Sequence, residues 1–433
     1  MKILLLGSGG REHALALKLK ASAGVELVSA PGSDALAELG ERVVLDAENP
    51  KAVADWCALS RPDLVIIGPE APLVAGVADA VRALGIPVFG HGATTAQLEG
   101  SKAFAKDFMH RHGIPCAASM TVKDWAAGEA AIKGWRWGLP IVLKADGLAA
   151  GKGVVLAMSE AEALETLRSF LDGAFGEASK TVVLEAPLLG MELSLHVLVD
   201  ADADHGRYLM LPACQDHKRI FEGDKGPNTG GMGVYGPIPF LRAEDTERMR
   251  RELVEPTVRG LQKDGLAARG VLFLGVMWTA EGPQLLEYNC RFGDPETQVL
   301  MQLLDEDLAA LLLSVATGGL AQETVKTKPG CAITVVLAAE GYPETPKKGV
   351  PIEIRDPKCA LIHAGTKRVE GRWTTNGGRV LNLATAAPTL AEARAKAEAD
   401  LAEVSWPGMQ ARRDIGLKAL KHAEAGKTVQ DAW

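Results

Sequence analysis

A chain of 433 residues, 24% charged and 47% hydrophobic with a net charge of −8, has the make-up of an ordinary globular protein of several domains. The acidic balance excludes bulk binding to nucleic acid or anionic membranes, so a small anionic substrate needs a local basic pocket. The six cysteines, at 57, 116, 214, 290, 331 and 359, lie far apart with no Cys-x-x-Cys pair. That pattern fits reduced thiols in a cytoplasm rather than zinc or disulfides.

Residues 1 to about 100 alternate apolar runs with amphipathic stretches. Strands are predicted at 3–6, 25–29, 43–45, 64–67 and 88–89, and helices at 12–20, 52–59 and 74–84. This is the signature of an open parallel α/β sheet, whose ligands sit at the carboxyl ends of strands. No signal peptide fits, because the first strand runs straight into a glycine turn. A helix over 101–112 opens a central α+β body reaching to 326, with strands at 141–144, 154–157, 181–185, 192–199, 208–211, 271–278 and 284–289. The apolar stretch 308–316 is too short to span a bilayer, and a cytoplasmic location is expected. Residues 327–433 read as a small C-terminal α+β domain with strands at 332–337 and 379–384 and a helix over 390–404. Trp135 and Trp137 read as packing over the next strand.

The first motif, Gly7-Ser8-Gly9-Gly10-Arg11-Glu12, places Glu12 where a dinucleotide fingerprint needs its third glycine, which disfavours a nicotinamide cofactor. A helix N-terminus with Arg11 still suits a single phosphate. A plain strand-to-helix turn is the other reading, and His13 reads as packing or polar support. The second strand end carries Gly68-Pro69-Glu70. Lys144, Gly147, Gly151, Lys152 and Gly153 form a lysine–glycine loop whose backbone amides suit phosphate oxygens. It lacks Walker spacing, and Lys102 adds a second cation. The segment Glu185-Ala186-Pro187-Leu188 with Glu192 reads either as an adenosine-binding hinge or as a core strand with a loop. Asp216, His217, Lys218 and Arg219, followed by Pro227-Asn228-Thr229-Gly230-Gly231-Met232-Gly233, suit an anion site or a mobile surface loop. Most informative is Glu287-Tyr288-Asn289-Cys290-Arg291-Phe292-Gly293-Asp294-Pro295-Glu296. Period-two alternation predicts Glu287, Asn289 and Arg291 on one face and Leu286, Tyr288 and Cys290 on the other. A carboxylate, an amide oxygen and a guanidinium in register suit a hard cation beside an anionic substrate. A surface salt bridge at a strand end is the bland reading.

Taken in order, these segments resemble the ATP-grasp ligases, and specifically the phosphoribosylamine–glycine ligase family of purine synthesis, essentially end to end. The Pro-Asn-Thr-Gly-Gly-Met-Gly and Arg-Phe-Gly-Asp-Pro-Glu stretches are the most specific. The resemblance implies an N-terminal substrate domain (1–100), an ATP-grasp domain (101–326) with a lid near 122–193, and a barrel-like C-terminal domain (327–433). It implies Mg²⁺ or Mn²⁺ on Glu287 and Asn289. ATP phosphates would lie on Lys102, Lys144 and the 147–153 loop, and adenosine on Glu185, Ala186, Leu188 and Glu192. Glycine would lie on Arg291 and Asp216. The phosphoribosyl group would lie near Gly9, Gly10, Arg11, Glu70, Lys218 or Arg219, Asn228, Thr229, Gly230 and Asp294. A monomer, meeting the upstream amidotransferase only transiently, is the expected form. The chain departs from the family at Ala186-Pro187, where a second glutamate and an aromatic are usual, and at Ser33-Asp34, which leaves that loop out of the substrate site. Two rivals stay open here: a carboxylase-like ATP-grasp enzyme, and a nucleotide-binding protein without turnover.

Overall fold

A computed structural model describes residues 1–147 and 153–431. Its N-terminal sheet has the strand order Glu41–Arg42, Glu26–Pro31, Lys2–Gly7, Leu64–Ile67, Val88–Phe89, and every pairing is parallel. Ile3, Leu5, Leu27, Leu64 and Ile66 enter one apolar core while Leu4, Leu6, Val28, Val65 and Ile67 enter another. Burial on both faces explains why these strands read as unbroken apolar runs. The chain leaves Lys2–Gly7 to one side and returns on the other, so a crevice opens between Gly7 and Gly68. The Glu12 side chain fills it. A Cβ on Gly7 would lie 2.6 Å from Glu12 and one on Gly68 only 2.1 Å away. The residue that breaks the dinucleotide fingerprint therefore occupies the space a pyrophosphate would need.

Two expectations in this sheet need correction. The third strand is Glu41–Arg42, not 43–45. Pairing ends once the Val43 N–H reaches the Ser29 carbonyl, and Val44 then points into solvent. The helix expected over 74–84 is two helices, Glu70–Val74 and Val77–Arg82, because Gly76 takes a left-handed φ of 87° between them.

The central body is an antiparallel sheet in the order Gly206–Met210, Met191–Ala201, Ala268–Thr279, Gly282–Asn289. Beside it a smaller sheet, ordered Ser119–Val122, Val182–Glu185, Ile141–Ala145, Val154–Ala157, carries helices Trp125–Lys133 and Glu160–Leu171. Leu143, Leu167, Phe170 and Leu184 form its core, with Trp135 packed against it as expected. Directly paired residues share a face, so Lys144 and Val154, and likewise Val142, Leu156 and Glu185, line the opposite, open face. Val154 and Leu156 are exposed there.

The last sheet runs Gln215–Asp216, Gly233–Gly236, Cys331–Ala338, Arg379–Ala387, Ala360–His363. Its first two strands precede the expected 326/327 boundary, so the C-terminal segment continues a sheet begun by the central body. The helix expected over 390–404 ends at Asp400 and gives way to a short strand, Val404–Ser405. Among the described residues no helix is long and apolar enough to cross a membrane.

Candidate active site

The site is built on the end of strand Gly282–Asn289. A bulge sets Gly275 opposite Glu287 and Val276 opposite Leu285, leaving Leu286 as an extra residue. Leu285 and Tyr288 therefore both enter the core while Leu286 stays half-buried. This corrects the simple alternation that put Leu286 with Tyr288. Beyond the bulge the polar groups converge, for an Arg291 Nη2 donates to Asn289 Oδ1 at 3.2 Å. Arg291 also pairs with Glu70 at 3.2 Å and with Glu99 at 3.1 Å, and Glu99 accepts the Cys290 N–H at 2.7 Å. Burial, the largest influence, would lower the guanidinium pKa, but Glu99, Glu70, Glu296 and Glu287 hold it above its usual range.

Glu287 is open to water yet hemmed in by protein, as at the floor of a cleft. Desolvation is the largest influence and would raise its carboxyl. Lys218, Lys144, Lys102 and Arg291 outweigh it and hold the group below the ordinary range, as a carboxylate. The three lysines come from a strand, a helix and the link between strands Gln215–Asp216 and Arg219–Phe221. Lys144, next to last in strand Ile141–Ala145, sets its Nζ 3.0 Å from Glu185 Oε2. Lys102 opens helix Lys102–Arg111 and donates to the Gly147 carbonyl at 2.9 Å. Lys218 pairs with Glu192. Asp146 ties this helix to the lysine–glycine loop by accepting from the Ser101 hydroxyl at 3.0 Å and the Ala103 N–H at 2.8 Å. Gly153 returns the chain by offering its carbonyl to Ala145; Gly151 and Lys152 lie outside the described residues. At the hinge the Ala186 N–H is taken by the Ala118 carbonyl, and Leu188 is half-buried.

Facing this wall is a pair of acids. Asp216 accepts the His217 N–H at 2.7 Å, and Glu296 accepts from the Ser194 hydroxyl at 2.9 Å. Burial first, and then the field of Glu296, pushes Asp216 well above its usual pKa; burial also raises Glu296. A Cβ at Gly231 would meet Asp216 at 2.7 Å, and one at Gly293 would meet Glu296 at 2.4 Å. The glycines of the two most specific motifs therefore make room for carboxylates. Lys218 and Arg219 enter a hairpin, Arg219–Phe221 with Lys225–Asn228, where a mobile loop was one alternative. Arg219 and Asn228 are exposed, and Thr229 binds back to the Lys218 carbonyl.

Residues 1–99 match the family model described as phosphoribosylglycinamide synthetase, N domain; residues 100–297 match its ATP-grasp (A) domain and 332–418 its C domain. A phosphoribosylamine–glycine ligase of Rhizobium meliloti is 47% identical over 98% of this chain and 100% of its own length. The chain belongs to the phosphoribosylamine–glycine ligase family. A Vibrio cholerae member is 43% identical over 98% of this chain and 100% of that protein. The crystal structure of the Thermotoga maritima ligase matches with a TM-score of 0.84 at 35% identity, covering 96% of this chain and 100% of that one. The biotin carboxylase domain of Hydrogenobacter thermophilus 2-oxoglutarate carboxylase, at 17% identity and a TM-score of 0.74, shares the fold alone. This chain is thus an ATP-grasp ligase, and the carboxylase and non-enzymatic rivals lose their ground.

Within this phosphoribosylamine–glycine ligase fold the first strand end meets the Asp294 turn. The Gly9 N–H is held by Glu12 Oε2 at 2.7 Å, and Arg11 bonds Glu12 and the Phe292 carbonyl. A side chain on Gly10 would strike Gln298 and Asn382. Asp294 accepts from Gln298 at 2.8 Å and faces Arg379 at 3.4 Å. His13 supports rather than reacts: burial lowers it to about 3, and its Nδ1 accepts the His363 N–H. Sequence reasoning missed Arg379 and Tyr342, which grip Gly230 through its carbonyl and its N–H, and Glu99 and Lys106. None of these sits in a recognisable local motif. Glu296 lay inside a quoted motif without a role.

The residues present suit a hard divalent ion. Among the described residues no three His, Cys, Asp or Glu side chains gather to cage a metal. Glu287 is nonetheless held as a carboxylate in a ring of cations, and Asn289 Oδ1, which accepts one bond from Arg291, keeps a second lone pair for an ion. Magnesium needs few protein ligands when substrate phosphates supply the rest.

Proposed function

We propose that this chain joins glycine to 5-phospho-D-ribosylamine, splitting ATP to ADP and phosphate through glycyl phosphate, as a cytoplasmic step of purine synthesis. The observation that carries the reading is the convergence of Glu287, Asn289 and Arg291 opposite Lys102, Lys144 and Lys218. Glu287 and Asn289 would hold Mg²⁺ or Mn²⁺, which supplies charge neutralisation on the phosphates. Lys102, Lys144 and the amides of the 147–153 loop bind the ATP phosphates. The adenine lies on the apolar face of Val142, Val154 and Leu156, its edge towards Glu185 and the 186–188 backbone; Ala186 has already given its N–H, so Leu188 is the donor left for it. Glu192 meets the ribose.

Asp216, beside Glu296, receives the glycine ammonium, and Arg291 orients the carboxylate. A carboxylate oxygen attacks the γ-phosphorus and ADP departs. The amine nitrogen of phosphoribosylamine then attacks the acyl carbon, the C–O bond to phosphate breaks, and the amine proton leaves on the phosphate. No protein nucleophile is needed; positioning and fixed charge carry the rate. The phosphoribosyl group sits by Gly9, Gly10, Arg11, Glu70 and Asp294, with Lys218 and the 228–230 segment opposite. On this reading 1–100 bind the amine, 101–326 bind ATP, 327–433 complete the wall, and the module near 122–193 closes as a lid that excludes water. ADP release measured with glycine and phosphoribosylamine each omitted in turn tests the proposal. Release needing both supports it; release stimulated by bicarbonate and indifferent to glycine rejects it.

A further inference from the structure

Lys106 lies one turn beyond Lys102 on helix Lys102–Arg111, and only 4% of it is exposed. Its Nζ stands 3.3 Å from Glu185 Oε2, the same oxygen that Lys144 approaches at 3.0 Å. Among the described residues Lys106 Nζ and Glu185 Oε1 make no hydrogen bond. Two ammonium groups thus share one oxygen of a carboxylate that is itself 3% exposed. A buried carboxylate whose counter-ion departs is strongly destabilised.

We propose that Lys106 is a positioning residue that retains Glu185 when Lys144 turns to the nucleotide. In the empty enzyme Lys144 and Lys106 both neutralise Glu185. When ATP arrives, Lys144 transfers its charge to the phosphates, and Glu185 keeps Lys106 as its partner. Lys106 therefore strengthens nucleotide binding without touching the nucleotide, by removing the competition for Lys144. This inference rests on the reading of Lys144 as a phosphate ligand.

A double-mutant cycle read by calorimetric binding of the Mg²⁺ complex of a non-hydrolysable ATP analogue tests it. Lys106→Met should weaken binding by at least about tenfold, because Glu185 then holds Lys144 back. The melting temperature of the empty protein should change little, since the Lys144–Glu185 pair persists. In a Glu185→Gln background the same Lys106 substitution should change affinity by less than about threefold, the carboxylate that needed a partner being gone. Wild-type affinity in Lys106→Met overturns the proposal. So does an equal loss in both backgrounds, which would mean that Lys106 touches the nucleotide directly. Should Lys106→Met fail to fold, Lys106→Gln carried through the same cycle measures the same coupling. Lys144→Met run in parallel separates the two claims: full affinity there rejects the phosphate role of Lys144 whatever Lys106 does.

Discussion

The two walls of the cleft hold their charges in different ways. On the strand-end wall Arg291 is matched by Glu70 and Glu99 and bonded to Asn289 before any ligand arrives. On the opposite wall Lys144 and Lys106 converge on a single oxygen of Glu185, above an open face carrying exposed Val154 and Leu156. The first arrangement is complete and fixed. On the proposed reading the second exchanges partners. A site for a small amino acid gains from rigid, pre-set geometry, whereas a site for a flexible polyphosphate gains from cations that can be released to it.

The sharpest way to break this comparison is to neutralise the strand-end carboxylate. Glu287→Gln should lower glycine-dependent ADP formation by about a hundredfold to a thousandfold, the scale of losing one pre-set electrostatic group. Its melting curve should match wild type. Near-normal turnover by the folded variant would exclude the metal role.

Next in size is Arg291→Leu. The wall's completeness predicts two effects, a raised glycine KM and a loss of roughly 3 kcal/mol on denaturant unfolding, because buried Glu99 loses its partner. Adding Glu99→Gln should recover part of the stability but not the glycine response. An unchanged glycine KM would remove Arg291 from that subsite.

Asp216→Asn probes the acid pair. The folded chain holds a proton on Asp216 more tightly than the unfolded chain does, since burial and Glu296 raise its pKa. Its contribution to stability is therefore fully present below the ordinary aspartate range and is lost as pH climbs through the raised value. The variant should lose activity yet melt a few degrees higher at neutral pH, with the gain vanishing in acid. A lower melting temperature at neutral pH would refute this reading. The smallest effect is expected for the lid: an ATP analogue should slow limited proteolysis within 122–193, and identical cutting with and without it would count against closure.

Much of this was readable from the chain because it is local. The N-terminal strands announce themselves as apolar runs, and the Glu287–Arg291 spacing puts three polar groups on one strand end. What stayed hidden depends on distant partners. Lys106 looks like one more solvated helix lysine until strand Val182–Glu185 packs over it. Arg379 and Tyr342 reach Gly230 from more than a hundred residues away. The Leu286 bulge and the truncated Glu41–Arg42 strand arise from pairing registers, which apolar alternation alone does not encode.

Glycine carrying ¹⁸O in its carboxylate offers the most direct test of the central chemistry. If the γ-phosphate is taken up by that carboxylate before the amine arrives, one labelled oxygen must appear in the inorganic phosphate released with each product formed. Phosphate free of label, alongside normal product, would contradict a route through glycyl phosphate.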